Sequence, residues 1–166
     1  MKRVYLAGPD VFYPDVFNRS EILKKQCAKY GLEGVFPLDA DLKLEEPLNQ
    51  EKNGYTIFRG NIGLIKSCDA VLANMIPFRG PSVDAGTAFE MGCGFALGLV
   101  VVGYTSRDGI YKNRIVEDNN PGFDNLGLQI EDFNMKDNLM IHGATGGMIF
   151  ETSLQAIEYL ANSTAY

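Results

Sequence analysis

A chain of 166 residues, 46% of them apolar, is long enough for one domain with a buried core, yet no apolar run has membrane-spanning length. The formal net charge of −6, with Lys and Arg scattered, argues against a polynucleotide surface, which needs a positive patch to neutralise phosphates. Cys27, Cys68 and Cys93 are odd in number and far apart, which disfavours a disulfide framework or a zinc site and leaves core packing as their default.

In chain order, "RVYLA" (3–7) is a short β-rich run ended by Gly8-Pro9, the pattern of a buried strand entering a turn. The N-terminus turns polar too soon for a secretory signal, which points to the cytoplasm. Residues 15–30 carry Phe17, Ile22, Leu23 and Cys27 at spacings of one helix face, with Gly31 as a stop. "EGVFPL" (33–38) reads as a short strand and residues 39–54 as a polar loop. A second helix is predicted over 55–67, with Ile57, Phe58, Ile62, Leu64 and Ile65 on or near one face. "DAVLANM" (69–75) is a buried strand, followed by a Pro- and Gly-rich loop and a helix opening near Gly86 or Thr87. "LVVVGYT" (99–105) is the clearest strand, and 106–137 is loop-like. "NLMIHG" (138–143) reads as a last short strand, and "ETSLQAIEYLAN" (151–162) as a closing helix.

Strands alternating with helices imply one α/β domain over 1–166. The expected form is a flavodoxin-like or Rossmann-like three-layer sandwich around a mostly parallel sheet of about five strands. Ligands bind such sheets beyond the C-terminal strand ends, so loops 7–12, 74–86 and the segment after 105 are the expected pocket walls.

The stretch "GPSVDAGTAFEMGCGFALG" (80–98) sets Asp84 and Glu90 six residues apart among small side chains. The plain structural reading is a capping box, Thr87 as N-cap and Glu90 in the first turn. The functional reading uses the same carboxylate, favoured by the helix dipole, as a nucleophile toward a sugar carbon. Asp84 is either an alternative cap or a ligand-facing acid; Asp69 is either a turn residue or a site acid. Tyr5 is either a core tyrosine or a hydroxyl that holds Glu90. "AGPDVFYPD" (7–15) carries Asp10 and Asp15 instead of cations, which makes it a poor phosphate cradle. "GATGG" (143–147) lacks the strand–glycine–helix context of a nucleotide site, and His142, the only histidine, reads as a packed or surface residue.

"YLAGPDVF" (5–12), "IKSCDAVLANMIPFRGPSVDAGTAFEMGCGFALG" (65–98) and "DNLMI" (137–141) together resemble the nucleoside 2-deoxyribosyltransferase family across nearly the whole chain. The resemblance implies a flavodoxin-like fold and exchange of a 2-deoxyribosyl group between nucleobases without a cofactor or metal. Carried over by position, Glu90 is the nucleophile at C1', Tyr5 orients it, and Asp84 or Asp69 handles the proton of the base. Gly8, Asp10 and Phe12 match a loop that closes over sugar and base. Asn138 and Met140 match a segment that reaches a neighbouring subunit's pocket, which implies a homo-oligomer with shared active sites. Its partners would be 2'-deoxynucleosides and free purine or pyrimidine bases, with neither nucleic acid nor membrane. Some relatives also place a C-terminal tyrosine near the site, but the residues flanking Tyr166 match poorly. Two rivals remain. One is a 2'-deoxynucleoside 5'-monophosphate N-glycosidase, with Arg79 and Ser82 as a partial phosphate site; the other is a nucleotide-sensing module in which Glu90 only caps its helix.

Overall fold

The computed structural model describes residues 2–44 and 49–163; Tyr166 lies outside them. Five parallel strands make one sheet: β1 (Arg3–Ala7), β2 (Glu33–Val35), β3 (Ala70–Asn74), β4 (Val100–Tyr104) and β5 (Ile149–Phe150). They pair in the order β2-β1-β3-β4-β5, with Tyr5 opposite Val35 on one side and Val71 on the other. Five helices connect them: α1 (Val16–Lys29), α2 (Gln50–Lys66), α3 (Ala85–Ala96), α4 (Leu139–Ala144) and α5 (Ser153–Asn162). This is the expected α/β sandwich.

The two-residue period of β1 divides the core. Val4 and Leu6 join Leu23 and Cys27 of α1 and Ile157 and Leu160 of α5. Tyr5 and Ala7 face the opposite way, toward Ile65 of α2 and Met91 of α3. α3 lies so close to β3 that a Cβ at Gly94 would stand 2.6 Å from Val71 Cγ2, so only glycine fits there. Among the described residues no helix is long and apolar enough to cross a membrane.

Several elements depart from the sequence reading. β2 stops at Val35 because Pro37 has no N–H for the ladder, and Pro37–Asp39 form a 3-10 turn instead. On α1 the buried residues are Ser20, Leu23 and Cys27, whereas Phe17 and Ile22 are exposed. α2 starts at Gln50, five residues early, because Asn49 caps it through Lys52 N at 3.0 Å and its polar first turn has no core face to reveal it. Of its predicted apolar face Ile65 is buried and Ile62 and Leu64 pack partly, while Ile57 and Phe58 stay exposed.

The predicted strand at 138–143 is the short helix α4. Asn138 caps it by accepting from Met140 N at 3.0 Å, a local bond that overrides the β-like composition. The fifth strand lies later, at Ile149–Phe150, entered through Gly146 and Gly147 at φ 58° and 84°, where glycine is the favoured residue. Residues 106–137 are mostly loop, with a 3-10 turn at Tyr111–Arg114 and two isolated bridges.

Candidate active site

The site is organised by the start of α3. Asp84 is its N-cap: Oδ2 accepts from Thr87 N at 3.0 Å and from Thr87 Oγ1 at 3.3 Å. Thr87 is therefore not the cap, and there is no capping box with Glu90. Glu90 is the sixth residue of the helix, in its second turn, where the dipole of the first turn has largely faded.

What governs Glu90 is burial. Tyr5, fully buried in the middle of β1, donates its hydroxyl to Glu90 Oε1 at 2.6 Å. Burial pushes the Glu90 carboxyl up to about 7; the Tyr5 bond opposes this, and the charge of Asp84 adds to it. Burial, and after it the neighbouring Glu90, drives the Tyr5 hydroxyl far above its ordinary range, so it stays a proton donor. The carboxylate is thus held by a neutral phenol in a desolvated place.

Beside it lies a cavity of about 350 Å³ between α2 and α3. Phe58, Asn61, Ile62 and Ile65 come from α2, Gly86 and Phe89 from α3. The Phe58 and Phe89 rings meet at 6.0 Å. Within this mostly apolar wall Asn61 Oδ1 is buried without a hydrogen-bond partner among the described residues. Such an atom costs roughly 1–3 kcal/mol unless a ligand satisfies it. Sequence reasoning missed Asn61. Its signal was a lone amide one turn before Ile65 and three residues after Phe58, on the apolar stripe of α2.

Gly8, Asp10 and Phe12 gather at the C-terminal end of β1. Asp10 is 5% exposed and both oxygens are occupied: Oδ1 by Arg19 Nη1 at 3.1 Å, Oδ2 by Asn74 Nδ2 at 2.8 Å. Gly8 permits this, since a Cβ there would stand 2.7 Å from Asn74 Cβ and 2.9 Å from Asp10 Oδ2. Phe12 stacks on Phe78 at 5.2 Å, and the Arg79 guanidinium covers both rings, at 5.3 and 4.8 Å. Arg79 holds φ 54°, an uncommon conformation for a non-glycine residue.

Asp69 stands at the other edge of the sheet, just before β3, where its Oδ2 accepts from Arg3 N at 2.7 Å. The structure does not bring it to Glu90. Asn138 caps α4 with its oxygen and donates Nδ2 to Glu131 Oε2 at 2.7 Å, while Met140 is 73% exposed. His142 Nδ1 accepts from Lys136 N at 3.2 Å, a packing role. Among the described residues no three His, Cys, Asp or Glu side chains group as a metal site.

The family model for nucleoside 2-deoxyribosyltransferases matches residues 4–140. An uncharacterized protein of Schizosaccharomyces pombe is 33% identical over 113 residues, 68% of this chain, so the chain spans about half (54%) of that relative's length. A solved 2-desoxiribosyltransferase from Leishmania mexicana superposes with a TM-score of 0.76 at 28% identity, over 97% of both chains. A conserved protein from Enterococcus faecalis V583 gives a TM-score of 0.61 at 22% identity, over 96% of this chain and 99% of that one. The 2-deoxyribosyltransferase of Bacillus psychrosaccharolyticus gives 0.54 at 20%, over 79% of this chain and 98% of that one; these last two likenesses speak to the fold alone.

Proposed function

The chain belongs to the nucleoside 2-deoxyribosyltransferase family, and we propose that it moves the 2-deoxyribosyl group of a 2'-deoxynucleoside from one nucleobase to another through a covalent ester on Glu90. The observation that carries this reading is the Tyr5–Glu90 bond of 2.6 Å beside a 350 Å³ cavity. A carboxylate that is half-buried, held by a phenol and offered to a cavity is suited to attack on an electron-poor carbon.

In the first half of the reaction a Glu90 oxygen bonds to C1' as the C1'–N bond breaks, and the base leaves with the bonding pair. The transition state is oxocarbenium-like, as in a retaining glycosidase, and the missing 2'-hydroxyl lowers its cost. Tyr5 keeps the non-attacking geometry fixed. Asp84 gives a proton to a ring nitrogen of the departing base and takes one from the incoming base. Its Oδ2 caps α3, which leaves Oδ1 for this task; Asp69, engaged with Arg3 at the far edge, is set aside. The second base then attacks C1' and frees Glu90. Asn61 supplies an acceptor for a donor on the bound ligand.

Gly8 and Asp10 shape the loop over the ligand, and Phe12, backed by Phe78, offers it an aromatic face. Exposed Phe58, Phe89, Phe95 and Met140 leave apolar surface along α2, α3 and α4, with a groove of about 700 Å³ between α3 and α4. A second copy covering this face would let Met140 enter its neighbour's site, while Asn138 would first release Glu131. The alternative, a 2'-deoxynucleoside 5'-monophosphate N-glycosidase, has less to support it in the residues offered for its phosphate. The Ser82 hydroxyl is bound to Asp137, and Arg79 lies over aromatic rings.

The test is chromatography of 2'-deoxyinosine plus adenine with wild type and Glu90→Ala. 2'-Deoxyadenosine formed by wild type alone supports base exchange through Glu90. Free deoxyribose without a new nucleoside assigns hydrolysis instead, and no turnover at all leaves the sensing module.

A further inference from the structure

The long segment between β4 and α4 ends in a buried carboxylate with an unusual set of partners. Asp137 is 1% exposed. Its Oδ1 accepts from Ser82 Oγ in a short bond and from Asn138 N at 2.8 Å, and its Oδ2 faces Arg114 Nη1 at 3.4 Å. Arg114, whose side chain is 7% exposed, also donates Nη1 to Pro81 O at 2.8 Å and Nη2 to Lys136 O. Pro81 and Ser82 are thereby gripped from the same side, three and two residues ahead of Asp84. The loop is closed on itself by Phe78 N donating to Ser82 O at 3.0 Å, and Val83 is buried beneath it.

As a device for stability this arrangement is poor. An ion pair taken out of water returns little, and Arg114 Nε is buried with no hydrogen-bond partner among the described residues. Direction is what it supplies. Every link from Asp137 and Arg114 into the loop fixes where the backbone of residues 81–83 points, and that backbone sets where Asp84 stands. Asp84 has to meet two geometric demands together: one oxygen on the α3 cap, the other toward the departing base. A displacement of about 1 Å that the cap tolerates is enough to remove in-line proton transfer, at a cost of about 10²-fold.

We propose that Asp137, seated by Arg114, is a positioning residue for the proton donor Asp84, acting through Ser82; this rests on the transfer reading above. The long insertion is then a brace for the acid loop, and because Asp137 also bonds Asn138 N, the same carboxylate ties that loop to the start of α4.

The readout is the leaving group. The base of 2'-deoxyinosine must be protonated as it departs, whereas N7-methyl-2'-deoxyguanosine already carries the positive charge and leaves neutral. Base release in the first turnover is measured on both substrates with wild type, Asp84→Asn, Asp137→Asn and the milder Ser82→Ala. Expected is a loss of about 30-fold or more for Asp137→Asn on deoxyinosine and less than about threefold on the methylated nucleoside, the pattern of Asp84→Asn; Ser82→Ala shows the same selectivity at about fivefold. Equal losses on both substrates, or none on either, overturn the positioning role, since a merely structural defect does not discriminate between leaving groups. A wild type inactive on both overturns the transfer reading itself.

Discussion

Asp10 and Glu90 are both carboxylates sheltered by the same sheet, and they are treated in opposite ways. Asp10, behind β1, has a guanidinium on one oxygen and an amide on the other. Glu90, on α3, accepts a hydrogen bond from a neutral hydroxyl, the one bond it makes among the described residues, and its carboxyl is pushed up to about 7 by burial. The first is arranged so that its charge is answered within the chain. The second keeps a charge that no cation among the described residues answers, beside a cavity. That contrast, more than burial alone, separates a carboxylate that builds a loop from one offered to a ligand.

The contrast breaks most sharply at Glu90. On the proposed reaction, replacement by Gln preserves shape and removes the nucleophile, so base exchange falls by about 10³-fold or more. Stability moves the other way. Because the folded carboxyl binds its proton more tightly than the unfolded one, the native state holds more protons between about pH 4.5 and 7, and stability declines as pH rises through that window. The full shift corresponds to on the order of 3 kcal/mol. Glu90→Gln therefore melts higher than wild type at pH 8 and loses this part of the pH slope. Melting curves at pH 5 and 8 check it, and a variant that melts lower at pH 8 contradicts the assignment of strain to this charge.

At Asp10 the signs reverse. Asp10→Ala strands Asn74 Nδ2 and loosens Arg19, which also pairs with Asp15 at 2.8 Å and lies 3.8 Å over the Tyr13 ring. A loss of about 2 kcal/mol follows, and the melting point falls by roughly 4–8 °C. The kcat per folded molecule stays within about threefold, with the change carried by KM. A collapse of kcat at unchanged melting temperature would move Asp10 from loop builder to catalyst.

Next in size is Tyr5. With Glu90 required as the anion, kcat/KM of wild type declines about tenfold per pH unit below about pH 7. The Tyr5 bond holds that carboxyl down, so Tyr5→Phe shifts the limb to higher pH and lowers the rate at pH 7 by about tenfold. A limb that does not move denies Tyr5 its hold on Glu90.

Much of this was legible in the chain. β1, β3, β4 and α5 follow from apolar runs with clear stops, and from their alternation came the parallel sheet. Asp69 was misplaced although its position spoke plainly: a residue that opens a strand lies at the edge opposite the ligand. The late start given to α2 and the strand expected at α4 share a reason, since an asparagine cap decides a helix start while apolar periodicity only reports the packed middle. The pairing of Tyr5 with Glu90 stood as one of two readings of Tyr5 until family resemblance favoured it, because no local pattern links residues 85 apart. The braces on the acid loop were invisible for the same cause: Ser82, Arg114 and Asp137 meet only after the chain has folded.

Asn61 gives the smallest effect and the finest test of the contrast. Its oxygen resembles Glu90 in being unanswered, but it carries no charge, so its cost is that of one orphaned acceptor. Leucine has nearly the same shape and no polar atom to strand. Asn61→Leu is therefore expected to raise stability by about 1 kcal/mol, the opposite sign from an ordinary polar-to-apolar change at a satisfied position. The gain comes with weaker recognition. The orphaned oxygen is an acceptor, which complements the exocyclic amino group of adenine and not the carbonyl oxygen that hypoxanthine carries at the same position. KM for adenine as acceptor then rises about fivefold in Asn61→Leu while that for hypoxanthine changes less than about twofold. If the variant is destabilised, Asn61 is held by the fold after all; if it is stabilised and both KM values stand still, the orphaned oxygen has no ligand to meet.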